Sequence, residues 1–177
     1  MMADVQLYYD EMDSPIGTLT LISNGEKLVR IEYGEMDRRS DQMNKWVASY
    51  FGDVRFVHSP EKVVLAKKEL QTYFNKQNRE FSLEFEFHGT PFQQKVWQAL
   101  VETIPYGETK SYKDIAVAIG NPKAVRAVGG AVNKNPFSII VPCHRVIGTN
   151  GKMVGYNGGL DKKEYLLAHE KQAVGTF

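Results

Sequence analysis

The 177-residue chain is 42% hydrophobic, 24% charged and 11% aromatic, with a mean hydropathy of −0.37 and a formal net charge of +1. That composition fits a globular protein with one medium domain or two small ones. No stretch approaches the roughly 20 apolar residues of a membrane helix, and no basic residue precedes the apolar positions of the first ten, so no secretory signal is expected. One cysteine excludes an intramolecular disulfide and a Cys-rich zinc site, and favours a reducing, cytoplasmic compartment.

The charge is unevenly spread. Residues 1–88 hold 11 Lys and Arg against 15 Asp and Glu, a balance of −4, and residues 89–177 hold 11 against 6, a balance of +5. A basic second half either meets a polyanion or reflects ordinary surface variation.

Val5 to Tyr9 and Thr18 to Ser23 read as strands joined through Ser14-Pro15-Ile16-Gly17. Asn24-Gly25 signals a hairpin into a third strand over Lys27 to Tyr33. Helical patterns follow around Asp41–Tyr50 and Glu61–Asn75. Phe81 to Phe87 alternates apolar and polar residues, the pattern of a half-buried strand. No reaction centre assembles in this half, and its expected role is structural.

The pattern changes after His88-Gly89. Thr90-Pro91-Phe92-Gln93 carries a capping residue, a proline for the first helical position and a Gln for a capping box. Val96, Trp97, Leu100 and Val101 supply an apolar face, and Pro105-Tyr106-Gly107 ends the helix. Ser111 caps a second helix with Asp114 three residues on and Ile115, Ala118 and Ile119 inward. Gly120 can close it in a left-handed conformation, with Asn121-Pro122 opening a third helix at once. So tight a join is either a helix-turn-helix or part of a plain helical core.

At about 100° per residue, the third helix turns Val125, Val128 and Val132 inward. It presents Lys123, Arg126, Ala127, Gly130 and Lys134 outward, bordered by Ala124 and Ala131. Gly129-Gly130 within a helix costs about 1 kcal/mol per glycine. The glycines serve either tight helix packing or entry of a small, basic face into a minor groove only about 6 Å wide. Ile139 to Ile147 reads as a buried strand interrupted by Pro142 and Cys143-His144-Arg145. Asn150-Gly151 turns the chain, Lys152 to Tyr156 is expected to return as the strand of a wing, and a last helix runs from about Leu160 to Glu170. Glu170 falls on the apolar side of that helix. Lys163 lies near the same stripe but close enough to the helix start to reach solvent.

A lone cysteine is either a small buried hydrophobe or a nucleophile. A free thiol with a pKa near 8.5 is only a few per cent thiolate at neutral pH, and a neighbouring base would activate it. Adjacent side chains diverge in extended chain, so a bridging water is a more natural path from Cys143 to His144 than direct contact. Glu170 could orient the imidazole as a carboxylate does in a Ser-His-Asp arrangement.

Val141-Pro142-Cys143-His144-Arg145-Val146 resembles the active-site motif of the 6-O-alkylguanine-DNA alkyltransferases, the methylated-DNA–protein-cysteine methyltransferases. Ser111-Tyr-Lys113, Asn121-Pro-Lys-Ala-Val-Arg-Ala-Val-Gly-Gly130, Asn135-Pro136, Gly155-Tyr-Asn-Gly-Gly159 and Leu166-Leu-Ala-His-Glu170 match in family order, across residues 90–170. The first half is similar, loosely, to the family's ribonuclease-H-like domain.

The resemblance implies an α/β chain with an N-terminal ribonuclease-H-like domain over 1–88 and a C-terminal winged helix-turn-helix domain over 89–177. It implies that Cys143 accepts the alkyl group, His144 acts as base through water, Glu170 supports it and Asn135 braces the active-site turn. Tyr112 would help extrude the damaged nucleotide, which costs a few kcal/mol, and Arg126 would fill the gap. Tyr156 and the backbone around Asn157 would line the base pocket, and the backbone carbonyls of Cys143 and Val146 would read the guanine amino group. Lys123, Ala127, Gly130 and Lys134 would meet the minor groove of double-stranded DNA. Implied too are a monomer without cofactor or metal, one turnover per molecule, and activity on 6-O-alkylguanine and on 4-O-alkylthymine. Asn157 departs from the serine of many relatives. A non-catalytic lesion-binding protein of the same fold is the alternative, but such proteins have another residue in place of the cysteine.

Overall fold

The computed structural model describes residues 5–151, 155–156 and 158–174. The chain divides into two compact units, Met1–His88 and Gly89–Phe177.

In the first unit β1 (Val5–Ser14) and β2 (Gly17–Ser23) form an antiparallel hairpin. The Ser14 hydroxyl donates to the Gly17 carbonyl at 2.7 Å, and Gly17 takes a φ of 99°, open to glycine. β3 (Leu28–Tyr33) pairs with β2 after a turn in which the Asn24 side chain accepts from the amides of Glu26 and Lys27. α1 (Asp41–Phe51), capped by Ser40, leads to β4 (Val54–His58), which lies parallel to β1 and completes the order β3-β2-β1-β4. Central β2 is buried from Leu19 to Ser23. Leu7, Ile22 and Val29 from the sheet pack with Met36 and with Met43 and Val47 of α1.

β4 has no counterpart in the sequence reading, because Val54-Arg55-Phe56-Val57-His58 is short and lacks clean alternation. The second helical pattern divides into a 3-10 turn over Pro60–Lys62 and α2 (Val64–Phe74). The strand expected over Phe81–Phe87 does not form. Its burial does alternate, but it makes only one bridge, Leu28 to Phe85, at the very start of β3. The Glu69 carboxylate accepts from the amides of Ser82 and Leu83 at 3.0–3.2 Å, removing donors that a ladder needs.

The second unit opens with α3 (Pro91–Thr103), started by the reciprocal Thr90–Gln93 capping box. Val96, Trp97, Ala99 and Leu100 are buried; Val101, expected inward, is exposed. After β5 (Lys110–Ser111), Ser111 and Asp114 cap α4 (Tyr112–Ala118). Ile115, Ala116 and Ile119 turn inward, so Ala116 takes the place expected for Ala118. Gly120 has a φ of 80°.

The next helix does not open at Asn121-Pro122. One turn intervenes, with the Ala124 amide donating to the Asn121 carbonyl at 3.0 Å, and α5 spans Val125–Asn133. Pro122 sits at the second position of that turn, which suits its fixed φ. α3, α4 and α5 pack on one another, and the Trp97 indole donates to the Ala131 carbonyl at 2.8 Å. Val128, Ala131 and Val132 face inward. Val125, expected among them, is 37% exposed at the first helical position, and Ala131, expected on the outer border, is buried.

Residues 139–147 are not a strand. A tight turn leads to a 3-10 helix over Cys143–Arg145, and only β6 (Val146–Ile147) is extended, parallel to β5. The Gly151 amide donates to the Gly148 carbonyl at 2.9 Å, closing the expected turn. Of the expected wing strand, 152–154 lie outside the described residues, and Gly155 and Tyr156 are not extended in a sheet. α6 runs from Leu160 to Val174, past its expected end. Among the described residues no helix is long and apolar enough to cross a membrane.

Candidate active site

Asn135 builds the turn that carries Cys143. Its side-chain oxygen accepts from the Phe137 amide at 2.9 Å, and its side-chain amide donates to the Val141 carbonyl at 2.9 Å. Backbone bonds from Val141 to Phe137 and from Cys143 to Val141 tighten the same turn. Ile139 is forced to a φ of 77°, a left-handed conformation that a β-branched residue rarely adopts. The surrounding bonds and complete burial hold it there.

Cys143 is 2% exposed. Burial pushes its thiol pKa up; hydrogen bonds with the Asn135 and Tyr156 side chains and the charge of Lys163 counter only part of that rise. The resting group is a thiol and needs a base. His144 is completely buried, and burial holds its pKa below the ordinary imidazole value although Glu170 acts to raise it. Its Nε2 lies 2.6 Å from Glu170 Oε2.

Burial alone would raise the Glu170 pKa, but the charge and hydrogen bond of His144 and the Arg145 guanidinium hold it well below the carboxylate range. An ionised carboxylate only accepts, so Nε2 carries the imidazole proton and Nδ1 keeps its lone pair. Nδ1 is buried and has no hydrogen-bond partner among the described residues. It is poised to receive a proton.

The structure brings Cys143, His144, Glu170, Asn135, Tyr112 and Tyr156 into one region. Tyr112 is half-buried, and burial raises its phenol pKa, as does the Cys143 sulfur whenever it is ionised. Val146 is buried in β6, and its amide donates to the Cys143 carbonyl, using one acceptor site of that oxygen. Asn157 lies outside the described residues. Lys163, expected to reach solvent, is instead buried: its ammonium donates to the Gly155 carbonyl at 3.2 Å and sits 5.9 Å from the centre of the Tyr112 ring.

Lys123, Arg126, Ala127, Gly130 and Lys134 are all exposed. Only Arg126, Ala127 and Gly130 belong to α5; Lys123 lies in the preceding turn and Lys134 caps its end. A Cβ at Gly130 would meet nothing within 4 Å, and one at Gly129 would make only ordinary contact with the Tyr112 ring at 3.9 Å. Helix packing therefore does not explain either glycine. A groove of 390 Å³ lies alongside, lined by Tyr112, Val125, Arg126, Gly129, Asn133 and Thr149 among others.

Residues 91–172 match the family described as 6-O-methylguanine DNA methyltransferase, DNA binding domain, and residues 7–87 match its ribonuclease-like domain. The chain belongs to this family. The methylated-DNA–protein-cysteine methyltransferase of Methanosarcina barkeri is 44% identical over 165 residues, covering 93% of this chain and 98% of its own. That of Mycobacterium tuberculosis is 44% identical over 165 residues, covering 93% of each. The solved O6-methylguanine methyltransferase of M. tuberculosis superposes with a TM-score of 0.81 at 42% identity, over 94% of both chains. The M. tuberculosis protein in complex with DNA gives 0.80 at 43%, over 96% of this chain and 94% of that one.

The protein is thus a methylated-DNA–protein-cysteine methyltransferase, which repairs DNA by moving an alkyl group onto cysteine. Two side chains at its centre escaped the sequence reading. Arg145 stood in the motif without a role, since neighbours in a turn give no sign of converging on one distant carboxylate. Lys163 stands close enough to a helix start for the sequence alone to allow it solvent. The only signal for its burial was its position on the apolar stripe of α6.

Proposed function

We propose that Cys143 is the acceptor and that His144 activates it through one water. Nδ1 of His144 takes the thiol proton by way of that water while Nε2 stays bonded to Glu170. Sγ then attacks the alkyl carbon, the C–S bond forms as the carbon–oxygen bond to guanine breaks, and the base leaves with the bonding pair on oxygen. The proton taken up by His144 balances the one that the departing base gains, delivered through the Tyr112 hydroxyl, and gives unmodified guanine. The products are guanine and an S-alkylcysteine. No group at the site can displace a thioether sulfur, so each molecule turns over once. The observation that carries this reading is a buried, neutral imidazole with its Nδ1 lone pair uncommitted, next in sequence to the chain's sole cysteine.

Reaching the buried thiol requires the damaged nucleotide to leave the duplex. Arg126 would occupy the vacated stack, and Lys123, Ala127, Gly130 and Lys134 would face the minor groove, where the exposed glycine permits close approach. Tyr156, Asn157, Val146 and the Cys143 carbonyl would line the base pocket. Asn135 would hold the turn in register. The substrates would be 6-O-alkylguanine and 4-O-alkylthymine in double-stranded DNA. The unit 1–88 would serve as the structural domain and 89–177 as the DNA-binding and active-site domain, in a monomer without cofactor or metal in a prokaryotic cytoplasm, where its substrate lies.

Single-turnover mixing with a duplex bearing one 6-O-methylguanine tests the assignment. Cys143→Ala and Cys143→Ser should abolish transfer while lesion binding survives. Transfer by the alanine variant would refute it.

A further inference from the structure

We infer that Arg145 is a positioning residue for alkyl transfer: its guanidinium fixes the Glu170 carboxylate in the orientation that presents Oε2 to His144, and its charge sets the pH below which the His144–Glu170 pair stops acting as a base. The inference rests on the reading of His144 as that base.

The geometry is that of a fork. Arg145 Nε donates to Glu170 Oε1 at 2.7 Å and Nη2 donates to Oε2 at 3.1 Å, while Nη1 donates to the Ile104 carbonyl at 2.8 Å, at the end of α3. The Gly107 amide adds a donor to Oε1 at 3.3 Å. Each carboxylate oxygen therefore receives at least two donors, one of them from Arg145, and the carboxylate is held against rotation. Arg145 is 6% exposed, and its guanidinium carbon lies 5.6 Å from the centre of the Tyr106 ring. A planar fork anchored at a third point orients a carboxylate in a way that a point charge cannot.

The charges give the sign of the pH effect. The ionisable groups facing His144 and Glu170 are Arg145 from the same 3-10 turn, Cys143 beside it and Lys163 from α6, with Tyr106 against Arg145 and Tyr112 against Lys163. Neutral His144, ionised Glu170 and Arg145 together carry no net charge. Adding a proton leaves one net positive charge in a buried site near the Lys163 cation, which is unfavourable. Without the Arg145 charge the remaining pair is anionic, and the same proton neutralises it. Protonation then occurs at higher pH whichever member holds the proton.

Single-turnover methyl transfer from a 6-O-methylguanine duplex, measured against pH, tests this. In wild type the rate should fall on acidification, as the His144–Glu170 pair takes up a proton. In Arg145→Gln that limb should move upward by about one pH unit or more. In Arg145→Lys, which keeps the charge and loses the fork, the limb should stay near wild type while the plateau rate drops by up to about a hundredfold. Lower plateaus in both variants with unmoved limbs would reduce Arg145 to a structural role and overturn the inference. If Arg145→Gln does not fold by thermal melt, Arg145→Met, an uncharged side chain of similar length, carries the test: its limb should move upward in the same way, and a fixed limb contradicts the account. An acid limb that persists in His144→Ala would instead overturn the base assignment on which the inference rests.

Discussion

His144 and Glu170 link the chemistry of the site to the stability of the unit that holds it. The folded pKa of His144 lies below its ordinary value of 6.5. As pH falls through 6.5 the unfolded chain therefore binds a proton that the folded chain refuses, and stability declines until the folded value is reached. Glu170 has a depressed folded pKa against an ordinary 4.5. Its contribution is present above 4.5 and is lost as pH falls below it. Both groups act in the same direction in successive windows. Thermal melts should show a falling Tm between about pH 7 and about pH 5 in wild type, and a flatter response in His144→Gln. Equal slopes would mean that burial of the imidazole does not control the acid response.

At the scale of elements, α5 separates DNA handling from chemistry. Arg126→Ala should slow repair of duplex DNA far more than reaction with the free alkylated base, because only the duplex requires extrusion and gap filling; equal losses would move Arg126 into chemistry or folding. Gly130→Val should weaken duplex affinity while costing little stability, since its Cβ enters open space. A binding assay beside a melt separates the two effects, and unchanged affinity would exclude close approach at this position.

What could be read without coordinates follows the same division. Capping chemistry acts within four residues, so the starts of α3 and α4 at Thr90 and Ser111 were legible, as was the hairpin at Asn24-Gly25. The 3.6-residue period placed Val128, Val132 and Glu170 on buried faces. Features set by distant partners were not legible. The Glu69 carboxylate diverts the backbone donors of Ser82 and Leu83, the Asn135 side chain turns an apparent strand into a folded loop, and the Arg145 fork closes on a residue 25 positions away. The motif exposed the reacting residues because they sit together in sequence, and hid their supports because those converge only in space.

Across the whole molecule, the opposite charges of the two halves predict that duplex affinity falls with added salt, as counterions released by phosphate contacts are recaptured. Affinity independent of salt would remove the basic half from phosphate binding. Alkylation should also weaken the protein. Cys143 is buried, as are Ile139, Ile140 and Val141 just before it, and it is hydrogen-bonded to Asn135 and Tyr156; an added methyl group costs about 1–3 kcal/mol in a close-packed site. Loss of the thiol proton also leaves polar partners less well satisfied. Melting of unmodified and methylated protein, both freed of DNA, should give the lower Tm for the methylated form, and an equal Tm would show that the pocket already has room for the adduct.

The central claim is that Cys143 takes the alkyl group once and permanently. Intact-mass and peptide-mass analysis after incubation with excess 6-O-methylguanine duplex tests it most directly. The account predicts that every molecule gains the mass of a single CH₂ unit, located on Cys143, with one lesion repaired per chain. Lesions repaired in excess of protein, or the added mass on any other residue, would contradict it.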